Sequence, residues 1–460
     1  MSNANSRDDR VRSNFLREFE SVFTSNNEVG RIRKKKFLLR LIDYTPIKLD
    51  PYKCCRLDQA IIENFIDFFL ANDLIQESNS RYAFPVFLSE DLDDGKGRQL
   101  CVNYRKLNEI TTSASIPIPP IPFVIQRLLN TTYFSVLNIS YGFHHIKLNP
   151  RDRERTAFIT STNELYEWKV MPSGLKNSSK VCHQTFWKIL LRYDLESFAQ
   201  NYIDNVVVFS KTYDDHIRHL STVLRAFQEE NIKLASDECQ ILRKSINFLG
   251  FLISENQIEP NPKKVAAILA FETPKNVSEV RSFLGKLIFY RKFIKNRVHL
   301  VHPLTYLLRR DVRFTWGPQQ AESFRAVKQL FRNGLVLRIF DAKKNILIYA
   351  DVRDFAIEAV LKQNHGDQEY PVAYFSTKLL NYQMQKYSLT ELKCLAAVMA
   401  LKCWRIIILK SSNNVKVFID HLPLIRAMQS NQGSSRLLRL ISKLSQYSNL
   451  TLSYKPSVEI

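Results

Sequence analysis

Apolar residues recur at helical spacing over 57–74, and Ser78-Asn79-Ser80 breaks that pattern ahead of a strand-like stretch at 82–88. An acidic, glycine-punctuated loop over 90–97 leads into a second strand at 100–104, so the two strands read as a hairpin. The prolines of 116–122 bar a helix interior, because each removes a backbone donor and biases its predecessor to an extended conformation. Next come a strand at 133–139, a hairpin around 156–169, a helix over 180–192 and a strand pair flanking Asp204. Helical spacing resumes over 214–231. Residues 246–253 read as strand, and 261–308 as two helices parted by Pro274. A last unit begins near Leu337, with strands at 346–350 and 370–376, a helix at 388–409, a strand at 415–419 and a helix at 435–447. Strands and helices mixed in this proportion imply an α+β unit followed by an α/β unit.

Residues 1–35 show neither period beyond a short helical pattern over 15–23, and they run into the basic cluster Arg31, Arg33, Lys34, Lys35 and Lys36. They read as a basic, mostly flexible arm. Its cluster is a solvated face, with a localisation signal or a phosphate contact as the sharper alternatives.

A chain of 460 residues is too long for one ordinary core and suggests two to four folding units. Charge narrows the partner: 66 Lys and Arg outnumber 45 Asp and Glu, a formal net charge of +21, which favours a polyanion. A membrane surface is the competing explanation. No stretch approaches the roughly 18 to 20 continuous apolar residues that span a bilayer, and the first residues lack the apolar core of a signal peptide. The expectation is a soluble, intracellular protein, cytoplasmic or nuclear, with no membrane partner. The seven cysteines lack the paired spacing of zinc sites and read as free buried thiols.

Template-directed nucleotide addition uses two divalent cations about 3.5 to 4 Å apart, one activating the attacking hydroxyl and one steadying the leaving pyrophosphate. Such hard cations take oxygen ligands. Carboxylates at a strand end and at a tight hairpin tip suit the task. Here Phe134-Ser-Val-Leu-Asn138-Ile-Ser-Tyr-Gly142-Phe143, Met171-Pro-Ser-Gly174, Tyr202-Ile203-Asp204-Asn205 and Phe248-Leu-Gly250 follow one another in order. Upstream stands Cys101-Val-Asn103-Tyr-Arg105-Lys106, and downstream Thr273-Pro-Lys-Asn-Val-Ser-Glu-Val-Arg-Ser-Phe-Leu-Gly285. A lone Tyr-x-Asp is a weak signal, but this ordered series resembles the reverse transcriptases of gypsy-type LTR retrotransposons over roughly residues 40–455.

The resemblance implies an α+β right-hand polymerase of fingers, palm and thumb/connection, followed by an α/β RNase H-like domain. It implies fingers and palm over 36–255, thumb and connection over 256–336, and a C-terminally truncated RNase H-like domain over 337–460. Its partners would be an RNA/DNA hybrid or duplex template-primer and deoxynucleoside triphosphates, with Mg²⁺ or Mn²⁺ as cofactor. Arg105 would grip the triphosphate, its bidentate fork suiting phosphate. Phe143 would sit under the sugar, the backbone at Gly174 would pass close to the incoming nucleotide, and Lys233 would donate a proton to pyrophosphate. Asp204 would hold metal.

Two departures weigh against chemistry. Asn138 and Asn205 stand where the family carries metal-ligating Asp, so Asp204 alone remains. Losing about 4 to 6 kcal/mol of metal charge stabilisation would slow transfer by roughly 10³ to 10⁴ or more. The histidine pairs His144/His145 and His216/His219 could also suggest metal ligands, but no third ligand is in view.

Residues 346–420 resemble the family's RNase H domain, in which acids on strand, helix and strand bind metal. Asp351 and Asp420 match. Lys393 stands at the helical Glu, where it would repel cations, with Glu391 two residues away and rotated about 200° around the helix. A shift of register would return Glu391 to that role. The segment Lys455-Pro-Ser-Val-Glu-Ile460 stops short of a fourth family acid.

Asn103, Asn138, Asn205 and Lys393 each replace a family acid, and each is one guanine-to-adenine change away in the codon. Glycine, with codons that begin GG, is scarce at 11 of 460, against about 7% in average usage. The pattern fits a degenerate element copy. Three functional readings follow: an impaired polymerase with RNase H, a noncatalytic nucleic-acid-binding scaffold, or a polymerase still active through Asp204, Arg105 and Phe143.

Overall fold

The computed structural model describes residues 2–24, 28–32, 35–89, 97–411, 413–430 and 432–456. Most of the loop over 90–97, Arg33 and Lys34 of the basic cluster, and the last four residues lie outside them. The chain divides into two compact units, Met1–Leu249 and Gly250–Ile460.

In the first unit a four-stranded antiparallel sheet has the order Ala199–Tyr202, Asn205–Ser210, Tyr133–Asn138, Gln240–Arg243. Val206 to Ser210 are buried without interruption, as expected of a strand covered on both faces. The helices Ser178–Arg192 and Tyr213–Glu229 contribute Phe186, Ile189, Leu224 and Phe227 to the same core. Thr212 starts the second helix by accepting the amide hydrogen of Asp215, with Asp214 and Asp215 in the first turn, where the helix dipole favours acid. A second sheet runs Ile75–Glu77, Leu165–Trp168, Phe158–Ile159, Phe84–Leu88, Leu100–Val102, and contains both hairpins read from the sequence.

The flexible-arm reading of 1–35 is corrected. Ser2–Glu18 is helical, and Phe15, Phe19, Val22 and Ile32 are buried in the core of this unit. Spacing of four between Phe15 and Phe19 puts both rings on one helix face, and burying them offsets the cost of ordering the segment. Arg31 likewise is no solvated charge: its guanidinium donates to the carbonyls of His144, Asn72 and Asp73.

The second unit begins with the antiparallel strands Phe251–Ser254 and Gln257–Pro260, the latter paired with Leu337–Arg338. The single strand expected over 246–253 is broken, because Leu249 and Gly250 both adopt left-handed backbone. Four helices follow, Pro262–Ala270, Val277–Phe289, Arg297–Tyr306 and Pro318–Arg332, where two were expected over 261–308 and none between there and Leu337. A five-stranded sheet closes the unit in the order Gln368–Lys378, Ala356–His365, Ile346–Arg353, Val415–Ile419, Leu450–Tyr454; the first three are antiparallel and the last two join in parallel. Leu389–Cys403 packs on it through Cys394, Ala396, Ala397, Ala400 and Leu401. Small residues there let the helix approach the sheet closely.

All seven cysteines are free, as read, but only Cys182, Cys239 and Cys394 are buried. Cys55 is exposed and its sulfur caps the helix Arg56–Ala71.

Candidate functional site

Asp204 lies at a two-residue hairpin tip, with Tyr202 and Asn205 paired across it. Ile203 takes φ = 59°, a left-handed backbone that a β-branched side chain adopts only under constraint, at a cost of about 1 to 3 kcal/mol. The constraint is visible: the Ile203 amide donates to His183 Nδ1 at 3.4 Å, and its carbonyl accepts from Asn201 Nδ2 at 3.1 Å. The Asp204 carbonyl accepts from the Ile139 amide at 3.1 Å, which seats the tip against the neighbouring strand. Gly142 allows this approach, since a Cβ there would lie 2.6 Å from Asp204 Cβ.

Asn138 and Asn205 are direct cross-strand partners. Both amides donate to acids through their nitrogens. Asn205 Nδ2 donates to Asp204 Oδ1 at 3.2 Å, and Asn138 Nδ2 donates to Glu238 Oε2. Glu238 escaped the sequence reading; it lies a hundred residues from Asn138 with only its place beside Asp237 and Cys239 to mark it. One carboxylate flanked by two amides turned toward acids does not fit a site for two divalent ions. Among the described residues no group of three His, Cys, Asp or Glu side chains converges to hold a metal.

The remaining nucleotide-site candidates are placed as follows. Arg105 is exposed at the start of the helix Arg105–Ile110, and its amide donates to Asn103 Oδ1. Phe143 is half-buried in a 3-10 turn, packed against the core. Gly174 takes φ = 86°, and its carbonyl accepts from Asn108 Nδ2 at 2.9 Å. Lys233 is engaged elsewhere: its ammonium donates to the Ser21 carbonyl at 2.8 Å and pairs with Glu28 at 3.0 Å. The proton-donor role expected for it has no support in this geometry.

The histidine pairs serve packing. His144 stacks between Tyr141 and Trp168, and burial, helped by the charges of Arg31 and His145, lowers its pKa to about 3. His145 accepts the Lys233 amide hydrogen at 3.1 Å, and burial lowers it to about 4. His216 bridges Ser135 and Ser210 at 2.8 and 3.0 Å, and burial with the nearby His219 lowers it to about 4.

In the second unit Asp351, Lys393 and Asp420 meet. Lys393 Nζ lies 2.6 Å from Asp351 Oδ1 and also donates to Asp420 Oδ1. Arg353 Nε pairs with the other Asp351 oxygen at 3.0 Å. Burial raises the Asp351 carboxyl's pKa, but the hydrogen bond and charge of Lys393, joined by Arg353 and the Val352 amide, outweigh it and hold it below the ordinary carboxylate value. The alternative register is excluded by Glu391. That side chain closes a capping box with Ser388, accepts from Ser434 at 2.6 Å and pairs with Arg436. Glu358 is a further buried acid missed in the sequence; it is the cross-strand partner of Asp351 and meets His299 Nδ1 at 2.8 Å.

Comparison with known proteins agrees with this topology. Residues 92–253 match the family model described as reverse transcriptase (RNA-dependent DNA polymerase), and 316–417 that of the RNase H-like domain found in reverse transcriptase. The chain carries a reverse transcriptase domain and an RNase H-like domain. Its homologues are retrotransposon polyproteins: the retrovirus-related Pol polyprotein from transposon 297 of Drosophila melanogaster is 31% identical over 416 residues, covering 90% of this chain and 38% of that protein. The transposon Tf2-7 polyprotein of Schizosaccharomyces pombe is 32% identical over 390 residues, covering 84% and 29%. The chain thus spans only about a third of the length of these relatives. Among solved structures, the foamy viral protease-reverse transcriptase complexes with double-stranded DNA and with RNA/DNA hybrid share the fold. Both have a TM-score of 0.82 at 18% identity, covering 96% of this chain and 77% and 60% of theirs. The expected architecture, a right-hand polymerase followed by an RNase H-like domain, is the one observed. Reverse transcriptase and RNase H families generally use divalent metals. No helix among the described residues is long and apolar enough to cross a membrane.

Proposed function

We propose that this chain is the reverse transcriptase and RNase H segment of a gypsy-type LTR retrotransposon Pol polyprotein, a degenerate copy that grips template-primer inside the cell but performs nucleotidyl transfer and RNA cleavage poorly. The observation that carries the reading is the pairing of Asn138 with Asn205 beside Asp204, where transfer needs negative oxygen ligands. Arg105, exposed at its helix start, is the residue we assign to the triphosphate, with Phe143 and Gly174 lining the nucleotide position. Mg²⁺ or Mn²⁺ would be held by Asp204 in the first domain, more weakly than by a full set of acids; Asp351 and Asp420 are the acids assigned to metal in the second, where the ammonium of Lys393 contacts both.

A second reading, a noncatalytic duplex-binding scaffold, is favoured by the net charge of +21, since phosphate contacts by Lys and Arg need no metal chemistry. Primer extension on an RNA template with magnesium or manganese, run beside N138D/N205D/E238Q, tests both. The expected result is extension by the triple variant and little by the unaltered chain. Comparable extension by both would sink the impaired-enzyme reading. Tight, salt-sensitive duplex binding without extension by either protein favours the scaffold.

A further inference from the structure

We infer that Lys393 is the resident cation of the RNase H-like domain, closing a latent divalent-cation site formed by Asp351 and Asp420. The inference rests on the assignment, proposed above, of those two carboxylates as metal-facing acids. Its basis is geometric. A single ammonium contacts one oxygen of each carboxylate, 2.6 Å from Asp351 Oδ1 and in direct contact with Asp420 Oδ1. The side chains of Lys393, Asp351 and Asp420 are only 7%, 8% and 17% exposed, so water supplies little of the charge compensation.

The three residues come from separate elements: Asp351 from the strand Ile346–Arg353, Lys393 from the helix Leu389–Cys403, and Asp420 from just beyond the strand Val415–Ile419. The ammonium therefore ties helix to sheet at the place where two facing carboxylates would otherwise repel each other. Its position is fixed from both sides. Cys394 and Ala397, its neighbours on the helix, are fully buried against the sheet, and the capping box at Ser388 and Glu391 sets the helix's rotation. Behind Asp420, His421 bonds Thr390 of the same helix through Nε2 at 2.8 Å. Arg353 pairs with the second Asp351 oxygen. A divalent ion entering here would have to displace the ammonium and then stand beside it, which like-charge repulsion opposes. Removing the lysine charge leaves two poorly solvated acids, with Asp351 still held by the half-exposed Arg353 and by the Val352 amide. Carboxylates so placed are oxygen donors of the kind Mn²⁺ and Mg²⁺ take.

The test uses the full chain with Lys393→Met, which keeps the aliphatic stem and removes the charge, and with K393M/D351N/D420N as its metal-blind control. Thermal unfolding is followed in EDTA and in millimolar MnCl₂, with bound Mn²⁺ counted by electron paramagnetic resonance. The unaltered chain should melt alike in both media at the transition that K393M shifts. K393M should melt several degrees lower in EDTA, recover most of that loss in MnCl₂ and bind one more Mn²⁺ equivalent than the unaltered chain. The triple variant should regain stability without responding to Mn²⁺. The inference is overturned if K393M is as stable as the unaltered chain in EDTA. It is equally overturned if Mn²⁺ neither binds K393M nor restores it, or if the unaltered chain already binds Mn²⁺ in a manner abolished by D351N/D420N. Primer extension by the same proteins reports separately on the polymerase reading, which position 393 does not enter.

Discussion

Asn138 stands directly across from Asn205 on adjacent antiparallel strands, and the two amides donate in different directions, one to Glu238 and the other to Asp204. In the order Glu238, Asn138, Asn205, Asp204 an acid stands at each end and accepts from the amide beside it. Restoring an acid at either asparagine removes the donor from which an existing acid accepts.

N138D alone should therefore be a poor repair. It sets a carboxylate against Glu238, and with both positions partly solvated the expected cost is about 1 kcal/mol at neutral pH. Adding E238Q should recover it. Urea denaturation of N138D, N138D/E238Q and the unaltered chain checks this. Equal stability of the first two would show that Glu238 does not oppose the acid.

Gly142→Ala should displace the hairpin tip. The added methyl would lie 2.6 Å from Asp204 Cβ, and the tip cannot yield freely because the Asp204 carbonyl and the Ile203 amide are both hydrogen-bonded. A loss of about 1 to 3 kcal/mol is expected, read as a lower urea midpoint with unchanged slope. G142A indistinguishable from the unaltered chain would show that the tip moves aside at no cost.

The buried histidines set an acid limit on the first unit. His144, His145 and His216 are held neutral, with pKa lowered to about 3, 4 and 4. The unfolded chain takes up protons below its ordinary value near 6.5, while the folded one does not. Stability is thus full above about pH 6.5 and is lost as pH falls toward 4, by about 1 to 2 kcal/mol per histidine at pH 5. H216Q should flatten the dependence of the urea midpoint between pH 7 and 5. Asp351 acts in a lower window: its depressed pKa contributes stability above the unfolded value near 4 that is lost only as pH drops further.

Glu391 should behave as a cap and not as a metal acid. E391A is expected to cost about 1 to 2 kcal/mol by opening the box with Ser388 and freeing Ser434 and Arg436. It should leave Mn²⁺ binding by K393M unchanged. Loss of that binding in E391A/K393M would return Glu391 to the site.

Much of this protein is written locally. The order of the motifs, the alternation of the strands and the helical spacing of 57–74, 180–192 and 214–231 are properties of neighbouring residues, and each has its element in the fold. Asparagine at 138 and 205 and lysine at 393 are equally plain. Where local pattern misled, packing supplies the reason. The strand Ala356–His365 went unread because it is central and carries the buried polar residues Glu358 and Gln363, which look like loop. The helix Pro318–Arg332 did show Phe324, Val327 and Phe331 at helical spacing, with Pro318 at its first position; that signal was legible and overlooked. The N-terminal helix looked flexible because only docking buries Phe15 and Phe19.

Tertiary structure alone decided which groups meet. Glu238 reaches Asn138 across a hundred residues, and Lys393 reaches Asp351 across 42 and Asp420 across 27. Spacing along a strand or helix fixes which side of its own element a residue occupies. Which charge it faces depends on how separate elements pack, and that packing turned an unwelcome lysine into the counter-ion of two acids.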